Sequence, residues 1–171
     1  MSYVKISGTS AAVIPATNPL GVIEEIAIAN AWSFEREAED EIAFLVSGNW
    51  VSYNVSFTWM SEIEVLHLAC AFDLRPPEPR RSAVQDLISS INEQLWLGHF
   101  DIWAKPGIVL FRHSIPLAGG TTVSPRQCEV ILGSALDSCE RYYPAFQYVA
   151  WAGKSASDAM GSVMLETAGE A

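Results

Sequence analysis

Val51, Tyr53, Val55, Phe57 and Trp59 alternate with Ser52, Asn54, Ser56 and Thr58. Such period-two alternation describes a strand with one buried face and one face turned to water or a partner, which is the habit of antiparallel sheets. The chain must therefore build a sheet and find something to cover one side of it. The neighbouring segments supply the rest of a meander. Residues 42–46 are apolar, Ser47-Gly48-Asn49 is a hairpin turn candidate, and Ser61-Glu62 turns the chain into residues 63–74, where Leu66, Leu68, Cys70 and Phe72 share a face. Phe34 to Ala38 is a strand candidate, but Glu37-Ala-Glu-Asp-Glu41 favours an acidic turn there.

Helical stripes flank these strands. Asn18-Pro19 reads as an N-cap with proline at the first helical position, followed by Leu20, Ile23, Ile26 and Ala27 on one face, with a stop expected near Ala31. Arg75-Pro76-Pro77-Glu78-Pro79 breaks the sheet. A second helix is expected over residues 80–97, with Val84, Leu87, Ile88, Ile91 and Leu95 as its stripe and Gly98 as its stop. Ser124-Pro-Arg-Gln127 has the form of a capping box and opens a third helix, in which Asp137 is placed to meet Arg141 and Pro144 ends or kinks the run. Ser155 begins a last short helix reaching about Leu165.

Residues 100–104 and 108–117 flank Lys105-Pro106-Gly107 and should pair as a hairpin. With Pro106 and Gly107 as the central turn residues, Asp101 faces Arg112 and Phe100 faces His113. Phe100, Ile102, Val109, Phe111 and Ile115 then share one face, whereas a one-residue slip would set Asp101 against Phe111. Trp103 and Leu110 fall on the opposite face beside Asp101 and Arg112. If helices cover only the other side, these four residues form a partner or dimer surface, an apolar patch with a polar rim. Most of the six tryptophans are otherwise expected in the core.

The expected fold class is α+β, a single antiparallel sheet with helices packed on one face in the order α-β-β-β-α-β-β-α. Residues 1–17 are expected to form a flexible arm, 18–165 a single domain and 166–171 a frayed tail. A chain of 171 residues is large enough for one substantial core. The net charge of -10 and the dispersed basic residues disfavour phosphate-backbone binding, so no nucleic acid partner is expected. No apolar run approaches the roughly 20 residues of a membrane span. Without a membrane segment or signal peptide, a cytoplasmic location is expected.

Cys70, Cys128 and Cys139 have no CxxC spacing and read as buried free thiols in a reducing compartment. Cys128 and Cys139 are eleven residues apart on the third helix, about 16 Å at about 1.5 Å per residue, too far for a disulfide. Catalytic, cofactor and metal motifs are not found. Gly153-Lys154-Ser155 lacks the earlier glycine of a phosphate loop, where Tyr148 stands. His67 sits between apolar residues as a structural histidine does, and His99 and His113 have opposite face parity. The acidic run from Glu35 to Glu41 lacks the central glycine of a calcium loop.

Four stretches carry a resemblance: Ser56-Phe57-Thr58-Trp59, Leu68-Ala-Cys-Ala-Phe72, Ile91-Asn-Glu-Gln-Leu-Trp-Leu-Gly-His-Phe100 and Cys139-Glu-Arg-Tyr-Tyr-Pro144. Over residues 18–153 the chain resembles the bacterial YbjN-domain family, described as sensory transduction regulators. The resemblance implies a type III secretion chaperone-like fold, whose members often dimerise and bind extended partner segments. It implies no active-site residue. The expected function is a non-enzymatic, chaperone-like binding or regulatory domain with a protein partner and a possible homodimer. The alternative is a small-molecule sensor or enzyme with a pocket between sheet and helices, using His67 or His113.

Overall fold

The computed structural model describes residues 16–168 of the chain. The first fifteen residues of the expected arm and residues 169–171 lie outside the described ones. The chain runs α1 (Leu20–Ala29), β1 (Phe34–Ala38), β2 (Glu41–Ser47), β3 (Ser52–Met60), β4 (Val65–Ala71), α2 (Arg81–Asn92), β5 (His99–Ile102), β6 (Val109–Pro116), α3 (Pro125–Ala150) and α4 (Ala156–Ala168). The six strands form one antiparallel sheet in the order β1-β2-β3-β4-β6-β5. The α+β class is as expected; the strand candidate Phe34–Ala38 forms β1 at one edge, and the acidic turn is confined to Glu39 and Asp40.

One face of the sheet carries the core. Tyr53, Val55, Phe57, Leu66, Leu68 and Cys70 are fully buried beneath the helices, while Ser52 and Asn54 on the other face of β3 are exposed. The alternation of β3 is thus the division between the helix-covered face and a face that no helix among the described residues covers, the helix-free face. α1 and α3 lie on the sheet, and α4 packs against α2 and α3. Phe72, Phe100, Phe111 and Phe146 interlock, with ring centroids 5.5 Å apart for Phe100–Phe111 and 5.2 Å for Phe100–Phe146. Offset and edge contacts of this kind add about 0.5–1.5 kcal/mol each beyond area burial.

Helix ends follow their caps. Asn18 Oδ1 accepts from Leu20 N at 3.0 Å, but Asn18 stands one position ahead of the N-cap of α1, which is Pro19. Ser124 and Gln127 complete the capping box expected for α3, and Ser155 Oγ accepts from Asp158 N at 3.1 Å. Two expectations are corrected, for the end of α2 and for Arg141, and one open alternative is resolved. α2 ends at Asn92, not Leu97, and Gly98 serves the approach to β6 instead of a helix stop. Its φ is +67°, and a Cβ there would run into the Phe111 ring and the Arg112 carbonyl. Of the two outcomes open at Pro144, the helix does not end there, and α3 continues to Ala150. The missing backbone bond and ring clash cost about 3 kcal/mol, and burial of Tyr143, Ala145, Phe146, Val149 and Ala150 offsets that. Arg141 lies over the Tyr142 ring at 5.8 Å instead of meeting Asp137.

The β5–β6 register also differs. Asp101 stands opposite Leu110 and Phe100 opposite Phe111, two residues away from the expected pairing. A Pro106–Gly107 two-residue turn would be of a type that splays twisted strands. The chain instead closes a longer loop, in which Trp103 N donates to Ile108 O at 2.8 Å and Gly107 N to Trp103 O at 2.7 Å. A shift of two preserves pleat parity, so the division of residues between faces stands.

Candidate functional site

The helix-free face of the sheet is hollowed into a groove of about 560 Å³ between β2 and the β5–β6 loop. Cross-strand pairing sets its floor. Thr58 lies between Glu41 on β2 and His67 on β4, and Ala69 lies between Ser56 on β3 and Arg112 on β6. The short side chains of Ala69 and Ser56 leave room above the middle strands, while longer ones rise on either side.

Arg112 organises the polar part. Its Nη1 lies 3.3 Å from Asp101 Oδ2, and its Nε donates to His67 Nε2 at 3.2 Å. Asp101 Oδ1 in turn accepts from Ile102 N at 2.8 Å. The expected Asp101–Arg112 ion pair therefore forms, but diagonally across the hairpin. Both partners are nearly half exposed, so the pair contributes at most about 1 kcal/mol; its effect is to hold the guanidinium in place. His67 is half-buried with a pKa lowered by burial first, then by Arg112 and His99. It accepts from Arg112 as a neutral imidazole.

All four residues expected at a partner surface line this groove: Asp101, Trp103, Leu110 and Arg112. They differ in exposure. Trp103 is 60% exposed at the rim, whereas Leu110 is 6% exposed and belongs to the floor. His67, which the sequence offers only to the alternative pocket, joins them with Thr58, Ser56 and Glu41, which the sequence assigns to no site. Their face was readable from the alternation, but their nearness to β5 depends on long-range pairing of β4 with β6.

Other candidates fall elsewhere. His113 faces the helix side, away from the groove, and its pKa is lowered by burial and then by His99. Among the described residues no cluster of three or more His, Cys, Asp or Glu is arranged to hold a metal. Ser155 of Gly153-Lys154-Ser155 caps α4. The groove with His67 opens on the helix-free face and not between sheet and helices, where the sensor alternative placed it. The tryptophan expectation is corrected as well. Trp59 is buried and Trp32 stacks on Phe44 at 5.3 Å, but Trp50, Trp96, Trp103 and Trp151 are all more than half exposed.

Over residues 19–148 the sequence matches the family described as "YbjN: Putative bacterial sensory transduction regulator". The chain belongs to the YbjN family. The fold of this YbjN chain is similar to that of a chain in the crystal structure of the ExsC-ExsE complex. The TM-score is 0.52 at 16% identity, covering 77% of the YbjN chain and 93% of the other. At that identity the likeness is one of fold. No curated protein matches the sequence. Among the described residues of this YbjN chain no helix is long and apolar enough to cross a membrane.

Proposed function

We propose that this YbjN chain is a non-enzymatic, chaperone-like binding domain that engages a protein partner through its helix-free sheet face. The observation that carries the reading is the groove itself, with an exposed Trp103 at the rim and a fixed Arg112–Asp101 pair beside it. Tryptophan and arginine are the residue types enriched where protein interfaces concentrate their binding energy. The similar fold in the ExsC-ExsE complex is that of a chain solved in complex with another protein, which supports the same reading. The side-chain chemistry does too. His67 spends its Nε2 lone pair on Arg112, so it offers no free acceptor there to activate the hydroxyl of Thr58 or Ser56. We place the domain in the cytoplasm, where its three free thiols would stay reduced.

The test is affinity capture from native lysate with the tagged chain, with oligomeric mass measured on the eluate. Trp103→Ala and Arg112→Ala are expected to lose the partner while melting as the parent does. Undiminished recovery with both would contradict the proposal. Leu110→Ala is a poorer probe, because removing a buried floor residue costs about 2–5 kcal/mol.

A small-molecule sensor is the second reading, because the groove volume lies within the roughly 300–1,000 Å³ of ligand sites. A metabolite that raises the melting temperature of the parent but not of Trp103→Ala would favour it.

A further inference from the structure

Behind the groove, on the helix side of the sheet, two thiols touch. Cys70 of β4 and Cys139 of α3 are both fully buried, and their sulfurs lie 3.6 Å apart. The Cys139 S–H donates to the Cys70 sulfur. A disulfide is about 2.05 Å long, so closure needs an approach of about 1.5 Å, within reach of side-chain rotation and a small shift of α3. Cys128 is also buried, but it stands three turns earlier on α3 and takes no part in the contact. Sequence spacing could exclude Cys128–Cys139; only the packing of α3 on β4 brings Cys70 to Cys139.

We propose that Cys70 and Cys139 form an oxidation site that closes to a disulfide on exposure to hydrogen peroxide, and that closure alters the groove. The first step is attack by the Cys70 sulfur, its proton removed, on one peroxide oxygen. The O–O bond breaks, the leaving hydroxide takes a proton to become water, and Cys70 becomes a sulfenic acid. The Cys139 sulfur then gives up its proton and attacks the Cys70 sulfur. The S–S bond forms, the S–O bond breaks, and a second water leaves. Two thiols are oxidised by two electrons in all, and one peroxide is reduced to two waters. Cys70 is the attacking group because Cys139 is the hydrogen-bond donor of the pair and burial pushes the Cys139 thiol up. Burial of both sulfurs makes the reaction slow, paced by opening of α3 from the sheet.

The link to the groove is one residue long. Cys70 lies between Ala69, which lines the groove, and Ala71; it pairs with Phe111, between Leu110 and Arg112. Drawing Cys70 toward α3 moves the groove floor. This half of the proposal rests on the binding role proposed above.

The test treats the full chain with hydrogen peroxide, quenches with catalase, then denatures and alkylates. Alkylatable thiols should fall from three to one, with a Cys70–Cys139 cross-linked peptide and Cys128 free. Cys128→Ala should leave the cross-link intact, and Cys139→Ala should abolish it. Three alkylatable thiols at a dose that fully oxidises glutathione in the same tube, or a cross-link through Cys128, would overturn the site. Partner recovery should fall about fivefold or more on oxidation of the parent and stay constant for Cys139→Ala. Equal recovery from the oxidised and reduced parent would overturn the coupling to the groove. The thiol counts need no partner, so they stand or fall independently of the binding role.

Discussion

His67 shows how one side chain ties stability to the groove. It accepts from Arg112 only as a neutral imidazole, and its pKa is lowered by burial first and then by Arg112 and His99. His113, on the opposite face, is lowered by burial and then His99. The unfolded chain takes up these protons near about pH 6.5, while the folded chain resists until lower pH. The contribution is therefore fully present above the unfolded pKa and is lost as pH falls through it toward the folded values. The melting temperature is expected to fall between about pH 7.5 and about pH 5.5, less steeply in His67→Gln than in the parent. Identical slopes for the two would contradict this role for His67. The alternation of β4 already sets His67 apart from Leu66, Leu68 and Cys70. Its hydrogen-bond donor was not legible, because Arg112 is 45 residues away and arrives through β4–β6 pairing.

At the scale of the element, β5 is the informative case. It is only four residues long and stands at the sheet edge, where unpaired backbone groups invite another strand. Both of its outward N–H groups are taken by side chains. Asn92 Oδ1 accepts from Phe100 N at 2.8 Å while its Nδ2 donates to Phe100 O at 3.1 Å, and Asp101 Oδ1 accepts from Ile102 N. Asn92 thus stands in for a neighbouring strand, and in doing so it marks the end of α2. Asn92→Ala should cost about 1–3 kcal/mol and open the edge to self-pairing. Urea unfolding and sedimentation check this, and a parent-like midpoint with unchanged mass would contradict it. The sequence places a helix before Gly98 and a hairpin after it, and both exist. The early helix end and the two-residue register shift escape it because each depends on tertiary hydrogen bonds or loop closure that hydrophobic periodicity does not encode.

At the scale of the whole molecule, period-two and helical patterning were enough to read the α+β class, one antiparallel sheet and the division into covered and open faces. β1 was weakly legible for a physical reason. Its residues after Phe34 are exposed, so it joins the sheet through backbone pairing with β2 and carries little apolar alternation. The four expected surface residues do come together, yet the excess of exposed tryptophan was missed because composition cannot separate core aromatics from surface ones. Those tryptophans supply the most direct test of the central claim, that the helix-free face binds a protein partner. Hydroxyl-radical footprinting of the captured complex compares Trp103 at the groove rim with Trp151 at the end of α3. The account predicts that the partner protects Trp103 and leaves Trp151 as reactive as in the free chain. Protection of Trp151 with Trp103 unchanged would contradict it.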